Sequence, residues 1–200
     1  MTQDSVPHPA ATIRPLEGMR IVVLLAEGVE DLEYWVTVMR LREAGAVVTS
    51  VGVTLDPVTG KNGLRAQADA LADKVDPADA DGLVIPGGWA PDKLRRHDAI
   101  TGLVHAIHDA GKPIGIICHG GLVAISAGII DAGHPATGSL GIRDDLVNAG
   151  ARWVDEPAFR DGSLVWGRVV DDIPDFEREL IALFADHHAS ALSRDSSNAG

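Results

Sequence analysis

An unbroken apolar run, "MRIVVLL" at residues 19–25, reads as a strand buried on both faces, since a half-exposed strand would alternate apolar and polar side chains. Beyond it, Leu32, Trp35, Val36 and Met39 fall at i, i+3, i+4 and i+7. This spacing predicts a helix with an apolar stripe toward the core, ending at Gly45. "AVVTSVGV" predicts a second strand, and strand–helix–strand is the opening unit of a parallel α/β sheet. The alternation continues. "DGLVIPGG" is a short strand breaking into a Pro-Gly-Gly turn, Ile100, Leu103, Val104 and Ile107 mark a helix stopping at Gly111, and "KPIGIIC" is a strand that delivers Cys118. "ARWV" and "GSLVWGRVV" read as strands around the turn "DEPAFRDG", and Phe176, Leu180, Ile181 and Phe184 predict a final amphipathic helix. Between residues 53 and 80, "DPVTGKNG" predicts a hairpin or an excursion at the sheet edge.

Composition narrows the picture. Two hundred residues, 46% apolar, suit one compact domain and are too few for two. With 17 basic against 29 acidic side chains the net charge is -12, so neither a nucleic-acid backbone nor an anionic membrane is an expected partner. A single cysteine can form neither an internal disulfide nor a cysteine-based zinc site, which points to a reducing, cytoplasmic setting. No apolar stretch reaches the ~18 residues of a membrane span. Residues 1–18 have neither the basic start nor the apolar core of a signal peptide and are expected to form a flexible leader. The domain is then expected over 19–186, with a polar tail over 187–200 that frays from Ser193.

The candidate chemistry centres on Cys118. It ends a strand and precedes a helix, so it lies on the sheet face where ligands gather, beyond the carboxyl ends of the strands. His119, Gly120 and Gly121 follow it, allowing the tight turn of a nucleophile elbow. Glu30, in "AEGVEDLE" after the first strand, is placed to be a partly buried carboxyl that keeps its proton and donates it to sulfur; helix capping is the competing role for this acidic stretch. In "PGGWAPD", Gly87 and Gly88 offer backbone N–H groups, and those of Gly88 and His119 can converge into an oxyanion hole.

The blocks "GVEDLEY", "DGLVIPGGWAPDKLR", "GKPIGIICHGGLVAISAGI" and "GIRDDLVNAGARWVD" together resemble the ThiJ/PfpI superfamily, in its PfpI-like branch of intracellular cysteine peptidases and glyoxalase or deglycase enzymes. The resemblance runs from about Met19 to Phe184. It implies an α/β fold, a flavodoxin-like three-layer sandwich with a mainly parallel sheet. It also implies Cys118 as nucleophile, His119 beside it and Glu30 as the carboxyl touching sulfur. In that branch a carboxylate from a neighbouring subunit completes a triad, and the matching position here is Asp92. Assembly as a homo-oligomer, dimer or hexamer, is implied as well. The chain departs from the family pattern at Gly121, where proline is usual, at Trp89, where arginine or another polar residue is common, and at Trp166, where a small hydroxyl residue is common. Trp89 and Trp166 suggest an apolar or aromatic substrate surface, with core or subunit contact as the equal alternative.

The expected activity is thiolate attack on a small electrophilic carbonyl compound, as in a glyoxalase or deglycase that converts a 2-oxoaldehyde to a hydroxy acid. Alternatives are a PfpI-type peptidase, a hydratase or lyase on a small metabolite such as an isocyanide, and a redox or stress-response protein whose cysteine is oxidised. A glutamine-hydrolysing reading fails because none of His134, His187 and His188 is followed two residues later by glutamate. The acidic first turn disfavours a dinucleotide. No cofactor is expected, and no metal, because the pairs His105/His108 and His187/His188 lack a third ligand at convincing spacing.

Overall fold

The computed structural model describes residues 14–198. In chain order the elements are β1 (Arg20–Leu24), α1 (Asp31–Glu43), β2 (Val47–Gly52), β3 (Val58–Thr59), β4 (Arg65–Ala66), β5 (Ala70–Leu71), β6 (Gly82–Ile85), α2 (Ala90–Leu94), α3 (Asp98–Asp109), β7 (Ile114–Ile117), α4 (Gly121–Ser126), β8 (Pro135–Ala136), α5 (Arg143–Asn148), β9 (Arg152–Trp153), β10 (Ala158–Asp161), β11 (Leu164–Gly167) and α6 (Ile173–Asn198). Seven strands form the central sheet in the order β10-β11-β7-β6-β1-β2-β5, parallel throughout except for β10. The order reverses beside β1, so right-handed crossovers send α1 to one face and α3 to the other. α6 packs with α1, while α2, α4 and α5 join α3 in the opposite layer. The result is the three-layer α/β sandwich.

The apolar runs are strands for the reason their composition suggests. All four residues of β6, of β7 and of β11 are buried, because helices cover both sides of the sheet. Gly115 in β7 lets α6 approach: a Cβ there would strike Leu180 and crowd Phe176. Phe176, Leu180 and Phe184 are fully buried, so the final helix faces the sheet as its spacing predicts.

Four expectations are corrected. The buried face of α1 is Glu33, Tyr34, Thr37, Val38 and Leu41, while Leu32 and Met39 are exposed. Polar side chains on the inner face have partners: Tyr34 and Ser50 share a hydrogen bond of 2.7 Å, and the Thr37 hydroxyl donates to Glu177. Inside "DEPAFRDG", residues 158–161 form β10, which pairs antiparallel with β11 as the sheet edge, and "ARWV" supplies β9 of a separate two-stranded ladder with β8. Leu16, expected within a leader over 1–18, is instead fully buried with its N–H bonded to Ala44; the part of that expectation over residues 1–13 lies outside the described residues. In place of a fraying tail, α6 continues to Asn198. The hairpin expected in "DPVTGKNG" is the β3–β4 pair. Among the described residues no helix is long and apolar enough to cross a membrane.

Candidate active site

β7 ends at Ile117, and the chain turns through Cys118–Gly120 into α4. Cys118 has φ 58°, the only positive φ at a non-glycine residue among those described. An L-residue in the left-handed region is strained, and such strain collects where a side chain must be aimed. The turn fits because Gly120 leaves space against the Ile85 carbonyl. Gly121, the departure from the usual proline, is also constrained: a Cβ there would lie 2.9 Å from Ile142 Cδ1 and 3.3 Å from Leu146 Cδ2. These side chains occupy the space a larger residue would need.

The carboxyl at the sulfur is Glu33, and this corrects the assignment of Glu30. Glu30 is the N-cap of α1, its Oε2 accepting from the N–H groups of Leu32 at 2.8 Å and Glu33 at 3.0 Å, while its Oε1 accepts from Asn62 Nδ2 at 2.8 Å. With both oxygens engaged it lines the cavity without touching sulfur. One turn into the helix, Glu33 is fully buried, accepts from the Gly87 N–H at 2.7 Å through Oε2 and lies close enough to Cys118 for each group to shift the other, while its Oε1 is buried without a hydrogen-bond partner among the described residues. Burial pushes the Glu33 carboxyl up to about 7, against the pull of the Gly87 N–H and the cysteine. Burial, and then the charge and hydrogen bond of a Glu33 carboxylate, push the Cys118 thiol up to about 12, while N–H groups of Gly88 and His119 act in the other direction. A thiolate beside a protonated Glu33 carries the same total charge as a thiol beside its carboxylate, so the two groups titrate as a pair. In the first arrangement the carboxyl donates to sulfur and the repulsion is gone.

His119 Nδ1 lies 3.2 Å from Cys118 Sγ. Burial first, and the charge of Lys61 second, make its imidazole harder to protonate. Gly87 sits where a Cβ would be 2.7 Å from both Cys118 Cβ and Glu33 Oε2. Only glycine fits between them. Gly88 has φ 76° and a Cβ there would strike the backbone of residues 28–30. Trp89, 62% exposed, lines the cavity beside Gly88. The cavity encloses about 270 Å³ over Cys118 and His119, enough for a small metabolite.

Two sequence-based candidates do not join this group. Trp166 is 1% exposed in β11 and is a core residue, which removes it from the substrate surface; its Nε1 is buried without a partner. Asp92, on α2, is exposed and forms an ion pair with Arg96, so within this chain it does not touch His119. Lys61 and Ser139 also line the cavity and were missed. Lys61 lies in the turn between β3 and β4 and Ser139 in the irregular stretch between β8 and α5, and neither has a periodic pattern to mark a direction. The sequence does not single out Glu33 because hydrophobic spacing marks the exposed stripe of α1 as its inner face, whereas Glu33 lies on the face that is buried.

The model of the DJ-1/PfpI family matches residues 19–183, and the chain belongs to this family. A deglycase of Thermococcus kodakarensis is 37% identical over 165 residues, covering 82% of this chain and 99% of the relative. General stress protein 18 of Bacillus subtilis is 41% identical over 172 residues, with 83% of this chain and 98% of the relative covered. A two-domain Anabaena variabilis protein containing DJ-1/ThiJ/PfpI-like and ferritin-like domains superposes with a TM-score of 0.80 at 33% identity, over 82% of this chain and 47% of that one.

Proposed function

We propose that this chain is a cysteine-dependent enzyme for small carbonyl compounds, of glyoxalase or deglycase type. The observation that carries the reading is the Cys118 sulfur, held at a strained elbow beside buried Glu33, with His119 Nδ1 at 3.2 Å and the backbone N–H groups of Gly88 and His119 near enough to favour its thiolate form. The thiolate adds to the aldehyde carbon of a 2-oxoaldehyde, forming a C–S bond and an oxyanion that those N–H groups stabilise. Glu33 or His119 then takes the proton from that carbon and returns one to the adjacent carbonyl carbon, leaving a 2-hydroxyacyl thioester. Water cleaves the thioester, releasing a 2-hydroxy acid and the thiol. One aldehyde and one water give one hydroxy acid, and no external oxidant or reductant is consumed. An adduct of the aldehyde on an amine enters by the same attack, with the amine as leaving group. The deglycase relatives support this choice. Peptide hydrolysis is less well supported, because it requires an acid for the amine, and Asp92 is engaged with Arg96.

Hydroxy-acid formation from methylglyoxal, with Cys118→Ser in parallel, tests the proposal. Turnover is expected to fall by roughly 10²-fold or more in the variant. Equal turnover in both proteins would sink the nucleophile assignment.

We further propose that the chain forms homo-oligomers. Its support is the outward stripe of α1, where Leu32 is 48% and Met39 61% exposed beside half-buried Trp35 and Val36.

A further inference from the structure

The cavity over Cys118 is lined by three charged side chains, Glu30, Lys61 and Asp171. They are not equivalent. Glu30 already accepts from three N–H groups and sits at the positive end of α1, which offsets its charge. Asp171, exposed as Lys61 is, does not figure among the influences that shift Cys118, Glu33 or His119. Lys61 makes no ion pair with any described residue, and its charge acts on two of these groups, opposing protonation of His119 and favouring the carboxylate form of Glu33.

The backbone that carries Lys61 is fixed in place. Its N–H donates to Val29 at 2.8 Å. On either side, Asp31 accepts from the N–H groups of Asn62 at 2.6 Å and Leu64 at 2.7 Å. Glu30 accepts from the Asn62 side chain, and Gly60 N–H closes the turn onto Leu64 at 2.7 Å. Gly60 must be a glycine, since a Cβ would strike the Asp31 carboxylate. The acidic pair that opens α1 thus clamps the β3–β4 turn against the helix that supplies Glu33. A surface lysine on a free loop has no such anchoring.

We propose that Lys61 is a specificity-determining residue that reads a carboxylate on the substrate, so that Cys118 reacts preferentially with anionic electrophiles. This rests on the reading above only in that Cys118 is the nucleophile reached through this cavity. The carboxylate is the group committed to; phosphate shares its charge and is separated in the test.

Alkylation of Cys118 by iodoacetate and by iodoacetamide, which differ in charge and little in shape, tests it without any turnover. Rates are read by mass spectrometry of the full-length protein at low ionic strength. In Lys61→Gln the iodoacetate-to-iodoacetamide rate ratio is expected to fall by about tenfold, with Lys61→Arg close to wild type and the wild-type ratio declining as salt is added. Glycolate is expected to protect wild-type Cys118 from iodoacetamide more strongly than inorganic phosphate at equal concentration, and to lose that advantage in Lys61→Gln. An unchanged ratio in Lys61→Gln overturns the proposal, as does failure of either reagent to reach Cys118, and stronger protection by phosphate overturns the choice of carboxylate. A reduced ratio in a protein inactive on methylglyoxal would leave the role of Lys61 standing and remove the carbonyl-enzyme reading.

Discussion

Glu33 bears on the state of the Cys118 sulfur, the proposed nucleophile, through the proton it holds. Burial pushes the Glu33 carboxyl up to about 7, so below that pH it is neutral and able to donate to sulfur, and above it the Cys118–Glu33 pair has lost one proton. Cys118 alkylation by a neutral reagent should therefore rise through a step near pH 7 in the wild type. In Glu33→Gln that step should vanish, and turnover should drop by roughly 10²-fold or more, because the amide cannot exchange a proton. A pH–rate profile that keeps its step in Glu33→Gln would show that another group controls the thiol. At this scale the sequence was informative where chemistry depends on neighbours in the chain. Cys118, His119, Gly87 and Gly88 come together because two strand ends adjacent in the sheet carry them. Glu33 was not legible, since the choice between two glutamates three residues apart depends on which caps the helix. Trp166 was ambiguous for a related reason: a tryptophan in a buried strand and one at a rim are alike until the sheet is assembled.

Among the elements, α1 is the least ordinary, because its inner face carries several polar side chains at depth. Glu33 meets the cysteine, and one turn later Thr37 donates to Glu177 of α6, whose second oxygen is buried without a partner. Burial pushes the Glu177 carboxyl up to about 7, more than Thr37 and the nearby Arg40 pull it down. A folded-state value above the unfolded one means that stability is full below about pH 4.5 and is lost as pH rises through about 7. The loss from Glu177 is on the order of 3 kcal/mol at most. Urea midpoints at pH 5 and pH 8 should differ markedly in the wild type and less in Glu177→Gln, with Glu33 accounting for a residual slope. An equal difference in the two proteins would place Glu177's ionisation outside the stability balance. The same polar contacts explain why the register of α1 was hidden. Hydrophobic spacing selected the stripe that faces outward, while the inner face mixes Tyr34, Val38 and Leu41 with partnered polar groups. β10 escaped for a different reason: an edge strand with half-buried residues lacks the apolar run that marks β6 or β7.

For the whole molecule, the strand-by-strand alternation was enough to define a parallel α/β domain, because strands covered on both faces leave continuous apolar runs. Assembly is a separate matter. The outward stripe of α1 leads us to expect a higher mass than 21.0 kDa by light scattering, and Met39→Lys should shift the distribution toward that monomer mass. A wild-type protein monomeric at micromolar concentration would end the oligomer proposal. Within one chain, the backbone at position 118 has a consequence of its own. Its φ of 58° is a conformation in which a side chain costs roughly 1–2 kcal/mol relative to glycine. Random substitution screened for thermal resistance alone would therefore reward glycine at 118 on backbone grounds. Only a screen that also demands the reaction would keep the cysteine.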